Sequence, residues 1–197
     1  MIIGAVLITG ALSLAVYNIY DDKRAGKQSD EVLMQLEEKI IGSENISAVS
    51  ENLNINSFDD PLVDKTTKAG TVKVGNINYI GILNIPVLGL KLPVIDSWSY
   101  DNLAIAPCCY FGSAESGQFV IAAHNYNSHF GRIKNLMSGD EVIFTDTNGK
   151  EYSYVVTEKE NIPGSDGYKM TANNWDLSLF TCTFDGSERV TVRCDKK

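Results

Sequence analysis

The chain has 197 residues, with 17 Lys and Arg against 25 Asp and Glu, and a formal net charge of −8. This length suits one domain, and 44% hydrophobic residues suffice for a core. The acidic balance excludes non-specific nucleic-acid binding as a function, because that binding needs clustered cations facing phosphates. Two histidines and four cysteines without a C-x-x-C pair give no zinc pattern, so we expect neither a metal nor a cofactor.

Residues 1–20 contain no charged side chain and are mostly apolar. A helix of this length, at about 1.5 Å per residue, matches the ~30 Å hydrocarbon core of a bilayer. The sequence therefore predicts a transmembrane anchor over residues 1–20. The alternative is a cleaved secretion signal, for which the basic N-terminal region is missing. Lys23, Arg24 and Lys27 follow the segment, and by the positive-inside rule they favour a cytoplasmic domain.

Residues 21–70 are predicted to be a partly helical stalk or linker. Leu33, Leu36 and Ile40 recur at helical spacing, and the residues after them are rich in Asn and Ser. Ten acidic and four basic residues lie between positions 21 and 60, so most of the net charge belongs to this segment.

From residue 71 the pattern changes to short alternating strands. Seven segments carry β-branched or aromatic residues at period two, with turn signals between them: NYIGILNIP, LKLPVID, GQFVIAA, DEVIFTD, EYSYVVTEK, LSLFTCTF and ERVTVRC. One short helix is predicted from Ser128 to about Met137, with Ser128 as its N-cap. The expected fold over residues 71–197 is all-β, a closed β-barrel of seven to eight strands with one or two short helices.

A hairpin near the C-terminus is the best candidate for chemistry. Asp185-Gly186 is a strong two-residue turn signal, and such a turn makes Cys182 the cross-strand partner of Arg189, about 5 Å away at Cβ. A nearby cation stabilises a thiolate, which is a nucleophile. His124 ends another strand, FVIAAH, and would supply a general acid. Pattern alone favours the plainer interpretation of a buried strand cysteine and a solvated arginine.

At these residues the sequence resembles the sortases, membrane-anchored cysteine transpeptidases of Gram-positive bacteria. Residues 178–182 resemble the T-L-x-T-C nucleophile strand of that family, residues 187–192 its arginine strand and residues 119–124 its histidine strand. Further similarity is found in the opening strands at 80–86 and 92–94, in F-x-x-L…G-D over 130–140 and in Y-x-Y-x-V at 152–155. The resemblance extends over about residues 75–194. The order of His, Cys and Arg at matching strand positions overturns the plainer interpretation.

Two departures from the family pattern are Ala123, where glycine is usual, and Ser178, where threonine is usual. Neither removes a reacting atom. The short segment 158–176 and the weak lid motif at 59–62 favour a class A- or D-like sortase over class B or C.

The resemblance implies a function. Cys182 would attack the carbonyl after the threonine of an LPxTG-like sorting signal, His124 would protonate the leaving amine, and Arg189 would hold the substrate and the oxyanion. Ala123 and Thr181 are expected to contact the substrate. Surface proteins or pilins with a C-terminal signal would be the substrates, and a peptidoglycan-precursor amine or a pilin lysine would be the acceptor. The enzyme would be a single-pass membrane protein with an extracellular catalytic domain, which conflicts with the charge-based orientation above.

Two alternative functions stay open at this point. One is another wall-acting cysteine enzyme, an L,D-transpeptidase, although that family has an S-H-G-C-type motif that this chain lacks. The other is a catalytically idle membrane-tethered β-domain. Among the remaining residues, His129 is expected at the surface or at a helix cap, and Arg193 is the alternative arginine if the hairpin register slips by two. Cys194 is expected in the core; a disulfide such as Cys109–Cys194 stays open.

Overall fold

The computed structural model describes residues 2–53, 70–171 and 174–197. The described residues form three α-helices and nine β-strands. The helices are α1 (Ile2–Leu53), α2 (Tyr100–Leu103) and α3 (Gly167–Thr171). The strands are β1 (Val72–Val74), β2 (Ile77–Ile85), β3 (Leu90–Ile95), β4 (Cys108–Ser113), β5 (Gly117–Ala122), β6 (Glu141–Asp146), β7 (Glu151–Pro163), β8 (Leu177–Cys182) and β9 (Glu188–Lys196).

All nine strands belong to one sheet, in the order β1-β2-β3-β4-β5-β8-β9-β7-β6. Because β2 also pairs with β6, the sheet returns on itself in a ring. Gly81 permits this closure, since a Cβ at that position would lie 2.1 Å from the carbonyl oxygen of Thr145. The prediction of a mostly-β fold with short strands is confirmed, whereas the long helix α1 departs from an all-β class. The strand count is higher than predicted because β1, which has only three residues, and β4 lie outside the seven segments identified by their sequence pattern.

The two faces of the sheet pack into different hydrophobic clusters. Ile121 and Leu179 belong to the first cluster, whereas their chain neighbours Val120 and Phe180 belong to the second. This division follows from the two-residue period of a strand. The apolar runs of β5 and β8 are therefore buried on both faces, as is usual for parallel strands.

Helix α1 runs from Ile2 to Leu53 and packs against the sheet in its middle part. Leu36 and Ile40, whose spacing predicted a helix, are buried in the second cluster. Glu37 forms an ion pair with Lys91 of β3. Part of the segment predicted as a stalk thus contributes to the core. Residues 54–69 of that segment lie outside the described residues.

The first turns of α1 coincide with the predicted transmembrane segment. Their large apolar side chains are exposed: Val6, Leu7, Ile8, Leu12, Leu14, Val16, Tyr17, Ile19 and Tyr20. Within residues 2–53, 70–171 and 174–197, no helix has both the length and the apolarity needed to cross a membrane. The predicted transmembrane helix is therefore not confirmed.

The α-helix predicted to begin at Ser128 does not form. Only Ile133–Asn135 are helical, in a single 3₁₀ turn. Ser128 does not cap a helix, because its N–H and hydroxyl both donate to Asp22 of α1, at 2.9 and 2.6 Å. Gly131 closes a tight turn by donating to the carbonyl oxygen of Tyr126 at 2.7 Å. Contact with α1, which local sequence does not reveal, thus sets the path of this loop.

Candidate active site

The three predicted reactive residues belong to three adjacent strands of the sheet: Cys182 ends β8, Arg189 lies in β9, and His124 follows the end of β5 by two residues. Strands β5 and β8 are parallel, with Ala122 paired to Phe180. His124 and Cys182 each follow that pair by two residues, so they leave the sheet at the same edge. Cys182 pairs with Arg189 across the antiparallel β8–β9 hairpin, which is the register that the Asp185-Gly186 turn predicts.

Asp185 holds the turn of this hairpin. Its carboxylate accepts hydrogen bonds from the hydroxyls of Thr183 and Ser187, at 2.6 and 2.8 Å. These bonds, first that of Thr183 and then that of Ser187, lower the pKa of Asp185 to about 2. Gly186 follows in the left-handed region, with φ of 74°, a conformation that favours glycine. The turn therefore fixes the register that brings Arg189 beside Cys182.

The guanidinium of Arg189 is held against backbone. Its Nη1 donates to the carbonyl oxygens of Gly186 and Glu188, at 3.0 and 3.1 Å. It also packs on Gly164, where a Cβ would lie 3.1 Å from Nη1. A side chain at position 164 would therefore displace the guanidinium.

His124, Cys182 and Arg189 line one cavity of about 250 Å³. Of the two residues predicted to contact substrate, Ala123 lines the same cavity. Thr181 is not among the lining residues; it is buried, and its hydroxyl has no partner in the part of the chain that the structure describes. The alternation of side chains in β8 explains this difference between Thr181 and its neighbour Cys182.

An aromatic wall forms one side of this cavity. Trp98 meets Tyr110 edge to face, with centroids 6.0 Å apart, and Tyr110 meets Phe180 in the same way at 5.1 Å. Trp98 is 40% exposed and lines the cavity. Nothing in the local sequence around Trp98 links it to strands β5 and β8.

Comparison with known proteins now identifies the family. A family model of the sortase domain matches residues 83–197, more than half of the chain. The chain belongs to the sortase family. A search of curated proteins gives no match.

Solved sortase structures share the fold. Sortase D5 of Clostridium perfringens, described as a transpeptidase, is 21% identical with a TM-score of 0.62, and the match covers 87% of this chain and 99% of that chain. Sortase C of Streptococcus pneumoniae is 22% identical with a TM-score of 0.55, covering 85% and 93%. A lid mutant of sortase A from Corynebacterium diphtheriae is 21% identical with a TM-score of 0.53, covering 60% and 70%. Similar structures come from classes A, C, D and E, so the fold does not decide between classes.

The sortase C of Streptococcus pneumoniae is described as having pilin substrates. Membership in this family identifies the chain as a sortase transpeptidase of the cysteine type. It also explains why the resemblance extended over several strands.

The cysteines of this sortase differ in environment. Cys108, Cys109, Cys182 and Cys194, all within the described residues, form no disulfide, so the pairing Cys109–Cys194 is absent. Cys108 and Cys194 are buried, and burial raises the pKa of each thiol to about 12. Cys182 is half-buried and lines the cavity. Only Cys182 is thus both accessible and adjacent to an arginine and a histidine.

Within the described residues, no group of His, Cys, Asp and Glu could hold a metal ion.

Arg193, four residues after Arg189, is fully buried and organises the loop between β7 and β8. Its hydrogen-bond acceptors are Glu160 Oε1 at 3.0 Å, Ser178 Oγ at 2.8 Å and the carbonyl oxygens of Lys169 at 2.8 Å and Met170 at 3.3 Å. Trp175 covers the guanidinium, with the ring centroid 4.7 Å from Cζ. Although burial opposes its charge, hydrogen bonds from Lys169 and Arg193 lower the pKa of Glu160. Because Met170 lines the cavity, Arg193 fixes one of the cavity walls.

His129 is fully buried, contrary to the predicted surface or capping position. Neither ring nitrogen has a hydrogen-bond partner among the described residues. Tyr126 lies beside it, with ring centroids 5.6 Å apart. Burial first, and then the nearby His124, lower the pKa of His129 to about 4. His129 is therefore neutral at physiological pH.

We predict that Arg193→Met lowers the free energy of unfolding by about 1–3 kcal/mol, because the substitution leaves the Ser178 hydroxyl and the carbonyl oxygens of Lys169 and Met170 without their donor. Urea denaturation of the full chain measures this loss. Lys169→Met is the matched control, since Lys169 pairs with the same carboxylate at 2.7 Å but its side chain is 52% exposed. This variant should unfold near the wild-type midpoint. Equal effects of the two variants would contradict the role of Arg193.

We also predict that His129 makes this sortase less stable in acid. The pKa of His129 is lowered on folding, so the unfolded chain binds more protons than the folded one below pH 6.5. Stability is then complete above pH 6.5 and decreases as the pH falls towards 4, by about 3 kcal/mol. The stability difference between the wild type and His129→Gln, followed by urea denaturation from pH 7 to pH 4, should show this slope. A constant difference over that range would contradict the prediction.

Proposed function

We propose that this sortase cleaves an LPxTG-like sorting signal after its threonine and transfers the protein to an amine. The observation that carries the proposal is the pair of strand registers, β5 to β8 and β8 to β9. Together they bring His124, Cys182 and Arg189 to one edge of the sheet and one cavity. A thiol, an imidazole and a guanidinium in one cavity are sufficient for acyl transfer through a thioester.

The reaction has two steps. In the first, the Cys182 thiolate attacks the carbonyl carbon after threonine and forms a tetrahedral oxyanion. The oxyanion collapses to a thioester, the C–N bond breaks, and the glycine amine leaves with a proton from His124. In the second, neutral His124 takes a proton from the incoming amine, which attacks the thioester. A new amide bond forms, and the Cys182 thiolate is released.

His124 is suited to both proton transfers. Burial lowers its pKa, and the negative charge of Asp21 opposes that change. Its neutral form is therefore readily available to accept a proton. The imidazolium form, which must protonate the leaving amine, is stabilised by Asp21.

Arg189 is proposed to bind the carbonyl oxygen that becomes the oxyanion. Two of its contacts are to backbone oxygens of its own hairpin, which leave other guanidinium N–H groups free to donate. The aromatic wall of Trp98, Tyr110 and Phe180 is proposed to receive the apolar Leu-Pro part of the signal. Ala123 and Thr181 would contribute at most through the backbone, because one has only a methyl group and the other does not line the cavity.

The proposed substrates are surface proteins or pilins with a C-terminal LPxTG-like signal. The proposed acceptor is the amine of a peptidoglycan precursor or a pilin lysine. An L,D-transpeptidase is no longer a competing function, since the chain belongs to the sortase family. A catalytically idle domain is the remaining alternative, and the experiment below distinguishes it.

We predict that the full chain in detergent cleaves a fluorogenic LPxTG peptide and that Cys182→Ala lowers the rate about 10³-fold or more, because it removes the nucleophile. His124→Ala should cause a comparable loss. Arg189→Lys should retain only part of the activity. Lysine keeps the positive charge but lacks the planar fork that can make paired hydrogen bonds. Cys109→Ala is the thiol-matched control and should cleave like the wild type. Wild-type rates in the Cys182→Ala protein would refute the proposed mechanism.

We further propose that residues 1–20 attach the enzyme to the cell membrane as a single pass, with the catalytic domain outside. The proposal rests on the twenty residues without charge and on the exposure of their apolar side chains along α1. The cations at positions 23, 24 and 27 favour the opposite orientation by the positive-inside rule. The protease experiment below distinguishes the two orientations.

We predict that the full chain stays with the membranes during a carbonate wash and that deletion of residues 2–20 releases it. Protease added to intact cells should digest the domain. Release of the full chain by carbonate would contradict the anchor, and complete protection from protease would contradict the extracellular location.

A further inference from the structure

The loop that carries His124 is attached to helix α1. Its residues 126–128 make five hydrogen bonds to two acidic residues of α1, Asp21 and Asp22, which lie 105 or 106 positions away in the chain. Sequence reasoning does not relate these two carboxylates to the reaction. The contacts make the start of the predicted stalk a neighbour of the cavity.

Asp21 reaches His124 through Tyr126. The Tyr126 hydroxyl donates to Asp21 Oδ2 at 2.5 Å, and the Tyr126 ring lies 5.0 Å from the His124 ring at 42°. Burial and the bond to Asp21 raise the pKa of Tyr126 to about 12, so the phenol keeps its proton and stays a donor. Arg24 pairs with the same carboxylate at 2.6 Å, and the Asp21 side chain is only 17% exposed. Tyr126 and Arg24 thus hold the carboxylate in a defined position.

Asp22 holds the next part of the loop. It accepts the N–H and the hydroxyl of Ser128, and although burial opposes its charge, these hydrogen bonds lower the pKa of Asp22. Gly26 allows the close approach of the two segments, because a Cβ there would lie 3.0 Å from Ser128 Cβ. Ala25 and Ser29 are buried on the same side of α1. The helix and the loop therefore form a packed interface.

We propose that α1 is part of the catalytic machinery, in which Asp21 acts through Tyr126 as a positioning residue for His124. The inference rests on the proposed function, because it assigns His124 the proton transfers. The hydrogen bond fixes the Tyr126 ring, and the ring limits the orientations of the imidazole. The Asp21 charge also favours the imidazolium that the leaving amine needs.

Several other ionisable groups surround His124. They are Tyr126 and His129 on its own loop, Asp22 and Arg24 on α1, and Asp166, Cys182 and Arg189 in the cavity. Burial lowers the pKa of His124, and among the described acidic side chains near it, including Asp22 and Asp166, it is Asp21 whose charge raises that pKa. Its removal should therefore change the titration of His124 in one direction, towards lower pH.

The test compares Asp21→Asn with Asp21→Glu, Tyr126→Phe and the control Glu37→Gln in the full chain. Glu37→Gln breaks the ion pair of α1 with Lys91 away from the cavity. Two quantities are measured: kcat and KM for peptide cleavage, and the titration of His124 by NMR in a Cys182→Ala background. Asp21→Asn should lower kcat on the order of tenfold with little change in KM, because positioning affects the chemical step. It should also move the His124 midpoint to lower pH.

Matched behaviour of the other variants supports the proposal. Asp21→Glu should restore most of kcat, Tyr126→Phe should lower kcat, and Glu37→Gln should resemble the wild type. A wild-type kcat and His124 titration in a folded Asp21→Asn protein would overturn the proposal, as would an equal loss in Glu37→Gln. If the wild type does not cleave the peptide but Asp21→Asn still moves the His124 midpoint, the coupling is supported and the proposed substrate is wrong.

Discussion

The parallel pairing of β5 with β8 is the constraint on which the site depends. It sets Ala122 beside Phe180, so that His124 and Cys182 leave the sheet at the same level. A shift by one residue would turn the side chains of one strand to the opposite face. The register is stabilised by burial on both faces, with Ile121 and Leu179 in one hydrophobic cluster and Val120 and Phe180 in the other. The hairpin to β9 then adds Arg189 through a second register.

Two arginines of β9 illustrate how one strand serves two purposes. Arg189 lies at the cavity, and its Nη1 donates to two backbone oxygens of the hairpin. Arg193 follows Arg189 by four residues and therefore lies on the same face of β9. It is fully buried and has Glu160 as its partner. A buried charge is costly without a partner and hydrogen-bond acceptors. Arg193 therefore requires the loop after β7 to adopt one conformation, and Met170 of that loop forms part of the cavity.

Helix α1 connects the uncharged N-terminal segment of the chain with the loop that carries His124. Its apolar contacts, through Leu36 and Ile40, belong to the second hydrophobic cluster, and its polar contacts end at the loop of His124. Apolar burial supplies the attraction, while hydrogen bonds of defined direction set the position of the helix along the sheet. A change at the N-terminal helix can thus reach the imidazole without crossing the core.

Sequence alone determined the strands with a two-residue period, the hairpin that pairs Cys182 with Arg189, and the family. These features depend on local patterns and on one turn, whose geometry follows from its residues. The 3₁₀ turn that replaces the helix predicted at Ser128, the burial of His129 and the contacts of Asp21 and Arg193 were decided by the tertiary structure. Each of them depends on a contact between segments far apart in the chain, and a hydrogen bond across 105 residues leaves no periodic signal in the sequence.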